Sequence, residues 1–307
     1  MAEPEQSIFN FNAYSPAEIG EAVETLGVKK TNLPFLASFM LSMVAGGGIG
    51  LGALYYNIVA SDAGLGFAAT RVLGGLVFSL GLALVLVGGA ELFTGNNMIV
   101  MAWASGKVST RQMLRNWVIV YIGNFVGSMG LVVLVFFSHH MDMNGGRVGL
   151  SILNTAVAKI SPDAVTLFFK GILCNLLVCW AVWLAYAGRS VTDKIIALIL
   201  AISAFVAAGF DHCVANMYFL PLAWLLANTG SVPADFDASL ITIPGIMHNL
   251  VPVTLGNIVG GAGFVGFVYW VIYRAALKKG AWNKSSGSTR EAQADPSGLR
   301  GRQRDRV

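Results

Sequence analysis

Gly209-Phe210-Asp211-His212-Cys213-Val214-Ala215-Asn216-Met217 sets a carboxylate and an imidazole side by side within apolar sequence. The run before the pair, 195–210, and the run after it, 213–227, are each too short to cross a bilayer alone. A spanning helix needs about 20 apolar residues, so the two runs read as one crossing interrupted at mid-depth. An ionisable residue at that depth costs about 2.5–3.5 kcal/mol to insert and marks a functional site by default. Asp211 and His212 are therefore the first candidate site residues.

The rest of the chain agrees with a membrane setting. Of its 307 residues 55% are hydrophobic and 12% charged, and the mean hydropathy is +0.67. Soluble domains carry about 25% charged residues. The net charge of +4 owes much to the C-terminal stretch and makes no case for a nucleic-acid partner. Cys174, Cys179 and Cys213 lie in apolar runs without metal-like clustering, as small buried hydrophobes do. Residues 1–30 are polar and lack the apolar core of a cleavable signal peptide.

Apolar runs at 33–60, 68–90, 117–137, 164–187 and 251–275, with the interrupted one around His212, predict six crossings. The second is also broken: Gly88-Gly89-Ala90-Glu91-Leu92-Phe93-Thr94-Gly95-Asn96 is followed by a short apolar piece, 98–104. The segment 1–32 contains a capping box, Ser15-Pro16-Ala17-Glu18, with proline at the first helical position. It should start a short amphipathic helix on the membrane surface, with Ile19, Val23 and Leu26 on one face. Residues 139–162 read as a polar connection. The tail, 278–307, is rich in Ser, Gly and Arg and should be disordered. Between these ends lies one pore domain, 33–277. Lys29, Lys30, Lys107, Arg111, Arg115, Arg189, Lys194, Arg274, Lys278 and Lys279 fall on one side, and only Arg71, Arg147 and Lys159 lie in loops on the other. By the positive-inside rule both termini are cytoplasmic.

Gly123-Asn124-Phe125-Val126-Gly127 in the third crossing recurs as Gly256-Asn257-Ile258-Val259-Gly260 in the sixth. With breaks in the second and fifth, the chain is all-α, two three-helix repeats of opposite topology. Interrupted segments at matching places of inverted repeats point to a transporter's binding site. Each break opens with an acid followed five residues on by an asparagine: Glu91 and Asn96, Asp211 and Asn216. Either acid would repel an anion if it faced the path. Both are expected to turn away and bind amides or carbonyls within the breaks. Thr94, His212 and Asn175 offer neutral hydrogen-bond donors. Lys170, near one end of the fourth crossing, reads as a snorkelling side chain. Gly46–Gly52 and Gly123–Gly130 should pack helices closely.

These motifs resemble the formate–nitrite transporter family. The resemblance covers roughly residues 10–280 and rests on Gly89–Asn96, Gly171-Ile172-Leu173-Cys174-Asn175-Leu176-Leu177-Val178-Cys179, Gly209–Met217 and Pro252-Val253-Thr254-Leu255-Gly256-Asn257. It implies a homopentamer of aquaporin-like subunits in a bacterial cytoplasmic membrane, each with its own pore for small monovalent weak-acid anions. It further implies that His212 is the central histidine, Thr94 the threonine of the second-helix break, Asn175 a vestibule asparagine and Lys159 the vestibule lysine. Apolar constrictions would fall at Phe78, Leu82, Leu92 and Phe205. One residue departs from the family pattern: Asp211 stands where glutamate is usual.

The functional reading is a channel or transporter, not an enzyme, with no cofactor and no metal. Formate or nitrite would be the cargo, proton-coupled if His212 handles a proton. Desolvation favours a neutral imidazole at rest and a nearby anion favours its cation. Relatives preferring hydrosulfide, acetate or lactate share the same signature. A neutral-solute channel of the aquaporin or ammonia type is the rival within transport, but the chain lacks an Asn-Pro-Ala box. An intramembrane metalloenzyme built on His139, His140 and His248 would need those residues to converge from connections, and no HExxH spacing is present.

Overall fold

The computed structural model describes residues 12–62, 64–230 and 232–275. The tail expected to be disordered lies outside them. Among the described residues every regular element is helical, and six helices are long and apolar enough to cross a membrane.

Helix α1 (Pro16–Thr31) begins at the Ser15–Glu18 capping box. It is not a surface float. Ile19, Val23, Glu24 and Gly27 are buried, and a methyl group on Gly27 would meet the side chain of Ala102 at 3.1 Å. The helix is docked under the bundle because its buried Glu24 ion-pairs with Lys107 and with Arg274.

Helix α2 (Phe35–Ala60) packs between α3 (Gly66–Gly88) and α6 (Thr110–Phe137). Its glycines decide this geometry. A Cβ on Gly46 would strike the Asn124 carbonyl, and one on Gly52 would meet the Phe78 carbonyl at 2.6 Å. The facing Gly127 lies against the Met43 carbonyl. Gly130, expected in the same close-packed row, faces open space.

Helix α3 ends at Gly89, whose φ of 77° lies in the left-handed region that glycine tolerates. The chain then runs extended through Leu92 into α4 (Phe93–Asn96), a 3-10 turn (Asn97–Ile99) and α5 (Val100–Ala104). The fifth crossing repeats the device. Helix α9 (Val191–Ala208) stops at Gly209, φ 76°, and the chain restarts at α10 (Cys213–Asn228). The stretch read as a polar connection, 139–162, contains a 14-residue helix, α7 (Arg147–Ile160), which packs on α10. Helix α8 (Ala164–Ala187) spans the expected residues. Helix α11 (Ile243–Ile258) continues in π-helical turns (Val259–Phe267) to Ala275. His248 and Asn249 therefore sit on a helix, not in a connection.

The second half of the fold repeats the first: α7 answers α1, α8 answers α2, α9 answers α3, and α11 answers α6. Each break is tied down by the asparagine of its GNxVG motif. Asn124 Oδ1 accepts the Phe93 N–H at 2.9 Å, while its Nδ2 donates to the carbonyls of Glu91 (2.9 Å) and Ser42 (2.7 Å). Asn257 Oδ1 accepts the Cys213 N–H at 2.9 Å, while its Nδ2 donates to the carbonyls of Asp211 (3.0 Å) and Gly171 (2.8 Å). Exposed backbone inside a membrane must find partners within the protein, and these two side chains supply them. Tyr121 and Thr254, equivalent in the two repeats, hydrogen-bond to each other at 3.0 Å.

The outer surface is apolar. Phe35, Met40, Val44, Leu73, Val118, Leu134, Leu184 and Leu200 are all exposed on the single chain, a surface suited to lipid or to a neighbouring subunit.

Candidate functional site

Each acid is paired with a lysine from the amphipathic helix of its own repeat. Lys30 Nζ on α1 lies 2.8 Å from Glu91 Oε1 and donates to Asn96 Oδ1 at 2.8 Å. Asn96 Nδ2 donates to Glu91 Oε2 (2.6 Å) and Asn116 Oδ1 (3.0 Å), and Asn116 Nδ2 reaches back to the Lys30 carbonyl at 3.2 Å. Across the pseudo-symmetry, Lys159 Nζ on α7 lies 2.8 Å from Asp211 Oδ1. Asn216 Nδ2 donates to Asp211 Oδ1 (3.2 Å) and Asn249 Oδ1 (2.7 Å), and Asn249 Nδ2 donates to the Lys159 carbonyl at 2.7 Å. The side chains of Glu91 and Asp211 thus accept from the side-chain amides of Asn96 and Asn216 within the breaks, and each also pairs with a lysine that the sequence expectation did not include. A buried carboxylate is stabilised far better by a cation than by neutral donors, and each repeat brings its lysine to it.

Three cavities lie in series along the interior. The first, about 360 Å³, is bordered by Lys159, Lys170, Arg71, Asp211, Phe78, Phe205 and His212. The second, about 410 Å³, is bordered by Lys29, Lys30, Glu91, Leu82 and Leu92. Between them is a chamber of about 10 Å³ lined by Ile49, Phe78, Leu82, Leu92, Val178, Ile202, Phe205 and His212. Phe78, Phe205 and His212 also border the first cavity, and Leu82 and Leu92 the second. A chamber that small has room for about one water molecule. Its walls obey the repeat: Ile49 matches Val178, Leu82 matches Ile202, and Leu92 stands where the second repeat has His212. The ring of Phe205 stacks on the imidazole at 6.0 Å between centroids and meets Phe78 edge-on at 5.7 Å.

His212 caps α10. Its Nδ1 accepts the Ala215 N–H at 3.1 Å, and its Nε2 lies 2.9 Å from Thr94 Oγ1. An Nδ1 that accepts carries no proton, so the pattern assigns the neutral imidazole with its hydrogen on Nε2. Asn175 is elsewhere. Its Nδ2 contacts the Asn257 carbonyl (2.7 Å), Asn97 Oδ1 (2.8 Å) and the Thr94 carbonyl (3.3 Å). It is fully buried and borders none of the three cavities. It clamps the two breaks together. Lys159 does border the first cavity, but with its charge paired to Asp211.

The sequence reading missed Lys30, Asn116 and Asn249 as members of these networks. A signal was present. The GNxVG repeat extends toward the N-terminus as Asn116-Trp117-Val118-Ile119-Val120 and Asn249-Leu250-Val251-Pro252-Val253, placing a second equivalent asparagine two turns before the first. Lys170, read as snorkelling, points into the first cavity. His139 contacts Asp142 at 3.3 Å, whereas His248 meets the Pro162 carbonyl at 2.9 Å on another element.

Two inverted repeats, each with a broken helix tied into the interior, and a histidine in a closed apolar chamber between two cation-bearing cavities define a membrane transport protein. The chain belongs to the formate/nitrite transporter family, whose family model matches residues 17–271. It is 41% identical over 277 residues to the formate channel FocA of Haemophilus influenzae, covering 87% of this chain and 96% of the relative. Identity to the formate channel FocA of Escherichia coli K12 is 38%, covering 86% and 95%. A solved structure described as a pentameric formate channel with formate bound superposes with a TM-score of 0.72 at 40% identity, covering 78% of this chain and 97% of that one. The family is one of transporters, not enzymes.

Proposed function

We propose that this protein is a homopentameric channel for small monovalent weak-acid anions, formate or nitrite foremost, in a bacterial cytoplasmic membrane, with both termini cytoplasmic. The supporting observation is the chamber of about 10 Å³ with one polar wall residue, His212, set between two cavities that carry lysines. A bare anion in such a dry space faces a Born cost of tens of kcal/mol in the idealised limit. The charged form is therefore disfavoured there, and the anion crosses either against a hydrogen-bond donor or as its neutral acid.

The geometry favours hydrogen bonding as the resting contribution of His212. Its single N–H points at Thr94. Giving that proton away would leave an imidazolate, so transfer requires a second proton on Nδ1. That proton must first displace the Ala215 amide. In this reading Phe78, Leu82, Leu92 and Phe205 form the constrictions that move aside for the passing acid. Thr94 orients the imidazole, and Asn175 holds the breaks rather than the anion.

Proteoliposome flux of formate, nitrite, acetate, lactate and hydrosulfide, with internal pH recorded, tests this reading. Saturable flux of formate or nitrite is expected, with alkalinisation on the side that the anion leaves if protons accompany it. Flux of glycerol or ammonia in the absence of any anion flux would favour a neutral-solute channel. Detergent-corrected mass should give five protomers. A cysteine placed at Arg147 should react with an impermeant reagent only from outside the cell.

A further inference from the structure

The first cavity is bordered by three cations, Arg71, Lys159 and Lys170, and one carboxylate, Asp211. Two of the cations are already engaged. Lys159 Nζ lies 2.8 Å from Asp211 Oδ1 and 5.4 Å from the centroid of the Phe219 ring. Arg71 Nε donates to the Ala207 carbonyl at 2.8 Å, in the last turn of α9 where the helix dipole concentrates negative charge.

Lys170 differs from both. Its Nζ makes no hydrogen bond among the described residues, and its nearest carboxylate oxygen, Asp211 Oδ2, is 4.0 Å away. Its side chain is 32% exposed and borders the cavity. Its backbone is fixed, because its carbonyl accepts the Asp211 N–H at 3.4 Å and the adjoining Gly171 is pressed against the Val253 carbonyl. The equivalent residue of the first repeat is Leu41, whose carbonyl accepts the Glu91 N–H at 3.2 Å and whose side chain borders the second cavity. The break therefore needs the carbonyl at this position and does not need a cation. A leucine serves in one repeat, and a lysine stands in the other.

We propose that Lys170 is the cation that collects the permeating carboxylate-type anion in this cavity and sets its apparent affinity, while Lys159 serves as the counter-ion of Asp211. This rests on the channel reading above. A charge in a cleft with low-dielectric walls raises the local concentration of small anions, and salt screens the effect over about 8–10 Å. A cavity of about 360 Å³ accommodates a hydrated formate ion.

The test uses the full chain as a Lys170→Cys variant in oriented proteoliposomes, with formate supplied on the side that carries Lys159. Cys174, Cys179 and Cys213 are all buried. One sample is treated with a trimethylammonioethyl methanethiosulfonate and another with the sulfonatoethyl reagent of similar size. In each the thiolate attacks the reagent's sulfur, forming a disulfide and releasing methanesulfinate. The unmodified variant should raise the half-saturating formate concentration about threefold to tenfold. The cationic adduct should restore it to within about twofold of the wild type, the anionic adduct should raise it further, and the differences should shrink in about 0.5 M salt. Both samples hold the same folded protein, so impaired folding cannot produce a difference in sign. An unchanged half-saturation in the variant, or equal effects of the two adducts, would overturn the proposal and leave the channel reading standing. Absence of formate flux in the wild type would overturn both.

Discussion

Thr94 Oγ1 and His212 Nε2 lie 2.9 Å apart, and that contact joins the two interrupted crossings at the centre of the molecule. The threonine comes from the first turn of the half-helix that follows one break, and the histidine caps the half-helix that follows the other. His212→Asn keeps an N-cap residue and a hydrogen-bond donor but cannot titrate near neutral pH. It should assemble like the wild type and conduct with a flattened pH profile. His212→Phe loses both the cap, worth about 1 kcal/mol, and the donor, and proton-linked accumulation should nearly vanish. Flux per assembled protein against pH decides the matter: a wild-type pH profile in the Asn variant would remove any proton role.

Asp211 is 1% exposed at its side chain and is matched by Lys159. Asp211→Asn leaves that ammonium without its counter-charge and should cost about 3 kcal/mol of stability. Asp211→Glu retains the charge and should keep both assembly and flux. A double-mutant cycle with Lys159→Met in thermal unfolding measures the coupling. Additive losses would show that the pair contributes nothing.

The glycines divide by what faces them. Gly127 abuts the Met43 carbonyl and Gly260 the Ile172 carbonyl, and backbone cannot yield as a flexible side chain does. Either residue changed to alanine should cost more than about 3 kcal/mol and remove the folded protein from membranes. Gly130→Ala meets no atom within 4 Å and should stabilise α6 by about 0.5–1 kcal/mol. Protease resistance of the three variants separates these outcomes. Equal behaviour would contradict the packing described.

Glu24 ties α1 to Lys107 and Arg274. Burial pushes its carboxyl upward, but the hydrogen bonds from Lys107 and Arg274 outweigh burial and hold it below the ordinary value of 4.5. A carboxylate with a depressed folded-state value contributes stability that is present above its unfolded value and is lost as pH falls through the folded one. The docking of α1 should therefore persist down to about pH 5 and fail only under stronger acid. Hydrogen exchange of residues 16–31 measures this. In Glu24→Gln, exchange should be fast at neutral pH, and slow exchange there would show that the ion pairs do not hold the helix.

The sequence by itself determined the six crossings, the two breaks and the inverted repeat. These follow from one-dimensional properties: the length of apolar runs, the cost of an ionisable pair at mid-depth, the recurrence of GNxVG and the motifs shared with the family. It also pointed to His212, Thr94, Phe78, Leu82, Leu92 and Phe205, which the structure gathers at the centre, while Ile49, Val178 and Ile202 joined the chamber wall only through the packing of the helices. The fold alone decided which charge meets which. Lys30 and Glu91 are far apart in the chain, as are Lys159 and Asp211, and only the docking of α1 and α7 against the breaks brings them to 2.8 Å. Asn175 reads as a pore donor in sequence because its amide is free on paper. In space three acceptors of the two repeats converge on its Nδ2, and a buried amide cannot leave them without losing its hydrogen bonds. Residue types fix what a side chain can bind. Their distances, set by long-range packing, fix what it does bind.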